Sequence, residues 1–168
     1  MNVSQLLLEL FGRIPPLVAE AAEGLATDQL VTRPAEDVNT VGWLLWHLAR
    51  VQDHHVAELL DDEQIWVDGE WASSFGLEPD PSNTGYGHSA DEVRSVRPNG
   101  PAAIIDYLEA VQRRTETMLR GLTPDDLDRV VDEGYDPPVT LGVRLVSIAD
   151  DSLQHAGQAA SIKRLVGG

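Results

Sequence analysis

"WLLWHLARVQDHH", Trp43 to His55, carries three of the chain's five histidines, His47, His54 and His55, within nine residues. Its other residues have a helical rhythm. With its neighbours on either side it forms a helical stripe of Val41, Leu44, Leu45, Leu48, His55 and Leu59, which predicts a helix capped by Asn39 or Thr40 and running to about Leu60. A helix turns by about 100° per residue, so the adjacent His54 and His55 diverge and do not readily chelate together. His47 and His54 lie on nearly one line but two turns apart, a rise of ~11 Å. The segment can therefore offer one good ligand. Periodicity sets His55 near the centre of the apolar stripe and His47 on its flank. It slightly favours His55 and leaves both open.

Working outward, the same rhythm appears three more times. Leu6, Leu7, Leu10, Phe11, Ile14 and Val18 predict a first helix over Val3 to Glu23, interrupted near Ile14 by Pro15 and Pro16 and closed at Gly24. Ile104, Ile105, Leu108, Val111, Met118 and Leu119 predict a helix from Pro101 to about Leu122. Thr140 caps a last helix reaching Leu165, and Thr123-Pro-Asp-Asp starts a short one. Residues 61–98 lose periodicity but hold Trp66, Trp71 and Phe75, so this long connection is expected to pack on something. Within it Ser89-Ala-Asp-Glu92 reads as a capping box for a helix over 90–96. Four long helices with almost no strand signal predict an all-α four-helix bundle, one domain over residues 1–168, with a long connection between the second and third helices.

Composition narrows the function. Twelve basic residues face twenty-eight acidic ones, a net charge of −16. A nucleic-acid partner would need a basic surface to neutralise phosphates, and none is visible. The chain has no cysteine, which excludes disulfides, thiolate zinc sites and a cysteine nucleophile. The stretch MNVSQLLLELFGRIPP lacks the pattern of a signal peptide, and no apolar run approaches the ~20 residues that span a bilayer. The expectation is a cytoplasmic protein without a membrane partner.

The last helix breaks its own pattern. Leu141, Leu145, Ile148, Ala159, Ile162 and Val166 share one face with Ser152 and His155, with Asp151 at its margin and Asp150 turned away. Positions i and i+4 stack on one side of a helix, so Asp151 and His155 can share one cation. A carboxylate turned toward a core is costly unless paired or metal-bound. The competing explanation is a hydrogen bond from Asp151 to His155 or an ion pair with Arg144.

Two segments, "RPAEDVNTVGWLLWHLARVQDHHV" (Arg33 to Val56) and "LGVRLVSIADDSLQHAGQAASI" (Leu141 to Ile162), resemble the DinB/YfiT-like superfamily of metalloenzymes, and most closely its actinobacterial branch, which includes mycothiol-dependent enzymes. The resemblance implies a bundle of up-down-down-up connectivity. It also implies a metal triad of one histidine from the second helix and two residues four apart on the last. By that correspondence the ligands are His47, Asp151 and His155, and His55 is demoted to the pocket wall or its surroundings. Asp151 stands where many members carry histidine.

Two imidazoles and a carboxylate leave coordination positions open and suit Zn, Ni, Mn or Fe in the divalent state. The function the resemblance implies is a divalent-metal-dependent enzyme that transfers a low-molecular-weight thiol, of the mycothiol type, to or within an electrophilic small-molecule substrate. The sulfur would arrive with that cosubstrate. Two alternatives stand beside it: a metal-hydroxide hydrolase, and a non-catalytic or vestigial metal-binding stress-response bundle. A hydrolase needs a general base, for which His55, His54 and His88 are candidates. Tyr86 and His88, in the glycine-rich "TGYGHS", are candidate contacts to cosubstrate and substrate. The resemblance further implies pairing into a homodimer.

Overall fold

The computed structural model describes residues 1–167. The first predicted helix is two. α1 (Val3–Phe11) starts with a capping box between Asn2 and Gln5, and α2 (Ile14–Ala22) restarts on the proline pair, whose missing N–H groups cost nothing in a first turn. Gly12 and Arg13 make the break between them. A single turn, α3 (Thr27–Leu30), leads to α4 (Val41–Leu60), where the Thr40 hydroxyl accepts the Trp43 N–H at 3.0 Å. The connection that follows holds two 3-10 turns, Ile65–Val67 and Ala72–Phe75, and then α5 (Ala90–Ser95) behind the expected Ser89–Glu92 capping box.

α6 (Pro101–Leu119) ends one turn earlier than its apolar pattern suggests. Thr123-Pro starts a 3-10 turn, Asp125–Asp128, instead of an α-helix. The chain then forms a two-stranded antiparallel sheet, β1 (Val130–Asp132) with β2 (Val139–Thr140), which leads into α7 (Leu141–Leu165) under the Thr140 cap. This small hairpin adds five strand residues to an otherwise helical chain. Strands of three and two residues are too short to carry a period-two pattern.

α4 packs against both α6 and α7, α2 packs against the same two helices, and α1 lies on α6. One continuous core runs through all of them, from Phe11 and Ile14 through Leu44, Leu45 and Leu48 to Ile104, Leu108, Leu145 and Ile148. α4 is buried on nearly every side: fourteen of its twenty residues are inaccessible, His47, Arg50, Gln52 and Asp53 among them. The connection over residues 61–100 covers the side that α6 and α7 leave free, with Trp66 and Phe75 fully buried in the core. No helix among the described residues is long and apolar enough to cross a membrane.

Candidate metal centre

α4 and α7 meet where the sequence singles out polar groups on apolar faces. His47 comes from α4, Asp151 and His155 from successive turns of α7. One potential ligand atom from each lies within 4.8 Å of the others. His47 Nε2 is 3.9 Å from Asp151 Oδ1, and His155 Nδ1 is 3.4 Å from the same oxygen. His47 is buried, while Asp151 and His155 remain partly open to solvent at 28% and 19% side-chain exposure, so the group has one accessible side.

Backbone carbonyls set both rings. His47 Nδ1 lies 2.5 Å from the Thr84 carbonyl oxygen and His155 Nδ1 lies 2.8 Å from the Asp151 carbonyl oxygen. A nitrogen facing a carbonyl must carry the proton, so each neutral imidazole keeps its lone pair on Nε2. Burial pulls the His47 pKa below the ordinary histidine value, against the raising effects of Thr84 and Asp151. The Asp151 carboxylate raises that of His155, against partial burial. Asp151 Oδ2 is buried without a hydrogen-bond partner. Arg144, the alternative partner, is engaged by Asp132 at 2.7 Å instead. A buried carboxylate oxygen without a donor is costly, and a divalent cation beside two imidazole lone pairs would satisfy it. The donor set therefore fits a divalent metal.

The segment Asp80–His88 crosses over His47. Gly85 sits at φ +92°, and a Cβ there would stand 2.8 Å from His47 Nδ1 and 2.9 Å from Trp46 Cζ3. Only glycine allows the backbone so close to the imidazole. On its other side His47 stacks on Trp43, ring centroids 4.7 Å apart at 12°. The segment is held from within by a fully buried ion pair on α4. Arg50 Nε donates to the Asn83 carbonyl (3.1 Å), and Nη2 to the Pro81 carbonyl (3.2 Å) and to Gln64 Oε1 (2.7 Å). Its guanidinium lies 4.8 Å from the Trp66 ring centroid. Asp53 accepts the backbone N–H groups of Ile65 (2.9 Å) and Trp66 (2.8 Å), the Tyr107 hydroxyl (2.7 Å) and Arg50 Nη1 (3.4 Å). Burial pushes the Tyr107 phenol well above its ordinary pKa, so it stays a donor.

Residues 11–159, which contain all three candidate ligands, match the DinB superfamily. The protein belongs to the DinB superfamily. Its structure is similar to the crystal structure of a conserved protein from Enterococcus faecalis, at 32% sequence identity and a TM-score of 0.90, over 99% of this chain and 98% of that one. No curated protein matches the chain.

In this DinB chain the other candidate residues lie away from the triad or are already engaged. His55 is eight residues further along α4, a rise of ~12 Å, and contacts Glu58 through Nδ1 at 3.1 Å. Burial lowers its pKa while Glu58 opposes the shift. His54 Nε2 stands 3.4 Å from the other Glu58 oxygen, and the two rings are 5.1 Å apart. His54, His55 and Glu58 thus come within 4.8 Å of one another, closer than the divergence of adjacent residues suggested. Yet Gln64, whose Oε1 accepts from Arg50, donates its amide N–H to His54 Nδ1 at 3.0 Å, which leaves the His54 proton on Nε2, toward Glu58. A cation there would have to displace that proton. A cavity of about 860 Å³ beside His54 and Arg144 adjoins this second group and is not lined by the triad.

His88 is engaged at both nitrogens, accepting from Trp43 Nε1 at 3.1 Å and facing Asn83 Oδ1 at 2.9 Å. Burial lowers its pKa. Tyr86 is 92% exposed, between two glycines of left-handed φ. Sequence reasoning overlooked Arg50, Asp53, Asn83, Thr84 and Gly85. Arg50 and Asp53 left a trace, a charged pair three apart inside an apolar helix. Thr84 contributes only a carbonyl, which no residue type announces.

Proposed function

We propose that this protein is a divalent-metal-dependent enzyme that transfers a low-molecular-weight thiol, of the mycothiol type, to an electrophilic small molecule. The observation that carries the reading is the convergence of His47, Asp151 and His155, with both Nδ1 atoms turned to carbonyls and Asp151 Oδ2 buried without a partner. The packing of α2 and α4 each against α6 and α7 supports a four-helix bundle of up-down-down-up connectivity in one domain, with the site on the α4–α7 seam. A divalent cation held by the three residues would supply the positive charge that makes a thiol acidic at neutral pH.

The chain's own residues do the rest. His47 and His155 would hold the cation through imidazole nitrogens, and Asp151 would offset part of its charge. The partly exposed side of Asp151 and His155 is the approach for both thiol and electrophile. The thiol would release its proton to water, and the C–S bond would form as the electrophile's leaving group departs with its electron pair. A water-activating hydrolase would need a free base next to the triad. His88 has both nitrogens engaged and His55 sits two turns away, so the arrangement favours the thiol.

Elemental analysis of untagged protein is expected to find about one divalent metal per chain, lost in both His47→Ala and His155→Ala. Full metal retention in either variant refutes the triad. A panel of electrophiles with and without mycothiol then tests the transfer. Thiol-dependent consumption of an electrophile by the parent, abolished in His47→Ala, is the expected result. Metal-loaded protein inert toward the whole panel favours a non-catalytic metal-binding role.

A further inference from the structure

We propose that the strap Asp80–His88 positions His47: anchored by Arg50, it fixes the imidazole in the tautomer whose Nε2 lone pair faces Asp151 and His155. The consequence for metal binding rests on the function proposed above; the tautomer itself does not.

Two arms leave Asn83 and both end on His47. In the backbone arm, Arg50 holds the carbonyls of Pro81 and Asn83, and the next carbonyl, that of Thr84, meets His47 Nδ1. In the aromatic arm, the Asn83 side-chain oxygen faces His88 Nε2, His88 Nδ1 accepts from the Trp43 indole, and Trp43 stacks on the His47 ring. Each arm constrains a different freedom. The carbonyl selects the protonated nitrogen, and the indole fixes the plane of the ring. Gly85 closes the gap between them, since any side chain there would press on His47 and Trp46.

The arms are also consistent in their proton placement. His88 can accept from Trp43 only if its own proton sits on Nε2, and Asn83 Oδ1 is there to receive it. An unconstrained neutral imidazole exchanges between tautomers, and a ligand drawn from such a mixture gives up affinity for each wrongly protonated copy. Partners of this kind behind a ligating histidine typically govern 10–100-fold, to order of magnitude, in metal affinity. His88, Asn83 and Arg50 are accordingly positioning residues.

Long-range proton–nitrogen NMR on metal-free protein near neutral pH reads the tautomer directly. The parent is expected to show His47 as a single Nδ1–H form. Gly85→Ala, which pushes the strap off the ring, is expected to give a mixture. His88→Ala and Asn83→Ala are expected to weaken Zn²⁺ or Co²⁺ binding, measured by chelator competition, by roughly 10–100-fold. His88→Gln, which can still accept from Trp43 and donate to Asn83, is expected to restore the parental affinity. Finding His47 as Nε2–H in the metal-free parent overturns the proposal. So does finding the parental tautomer and affinity unchanged in all of Gly85→Ala, His88→Ala and Asn83→Ala. If the parent binds no metal but Gly85→Ala still scrambles the tautomer, the strap's role stands and the metal reading fails.

Discussion

Replacing Asp53 with alanine is expected to destabilise the protein more than loss of an apolar contact of similar size. Asp53 and Arg50 are both fully buried. The carboxylate accepts two backbone N–H groups, a phenol and the guanidinium, so its removal leaves Arg50 charged in the interior without its anion. Breaking a buried pair in this way costs about 3–5 kcal/mol. In a chain of 168 residues, where each kcal/mol shifts Tm by roughly 2–4 °C, the expected fall is roughly 6–20 °C. Chemical denaturation of the single and double variants separates the pair from its surroundings. Each single variant should lose heavily, Arg50→Met through its strap bonds as well, and the double variant should lose less than the two single losses added, because no orphaned charge remains. A loss below about 1 kcal/mol for Asp53→Ala, or additive losses in the double variant, would refute the claim that the pair acts as one buried unit.

Two further outcomes are expected. In metal-free protein, stability should decline as pH falls from 7 toward 5. His47, His55 and His88 have folded pKa values below the unfolded 6.5, so protonation favours the unfolded chain there, whereas His155, raised in the fold, opposes the trend. His55→Gln should then flatten the decline and His155→Gln steepen it. Denaturation series across that pH range check this, and slopes moving in the opposite directions would contradict the assigned shifts. Thr40→Ala removes the buried cap of α4, whose hydroxyl accepts the Trp43 N–H at 3.0 Å, and should cost about 1 kcal/mol by the same measurement.

The helices were legible because their ends are written in residue types. Thr40, Thr140 and Ser89 each cap where a capping side chain was expected. The β1–β2 hairpin was not, since its few paired residues follow no alternation. Within the site, Asp151 and His155 stood out because α7 has a solvent face to contrast with its core face. α4 has almost none, so its apolar stripe could not rank His47 against His55. The slight preference for His55 came from assuming one buried side on a helix enclosed on nearly all of them. The resemblance singled out His47, and the structure sets that residue beside Asp151 and His155. The strap was illegible for a different reason: most of its contacts are made by main-chain oxygens.

The Arg50 anchor alters how the connection between α4 and α6 can be edited. Surface loops are ordinarily the interchangeable parts of a domain, open to insertion, deletion and grafting. Here residues 80–88 share their hydrogen bonds with the interior of α4, so they behave as a piece of that helix displaced along the chain. A transplant of α4 into another scaffold would keep the Arg50–Asp53 pair but strip Arg50 Nε and Nη2 of their Asn83 and Pro81 acceptors unless the strap went with it. The heritable module is therefore discontinuous, one helix together with a nine-residue segment that follows it only after an intervening excursion.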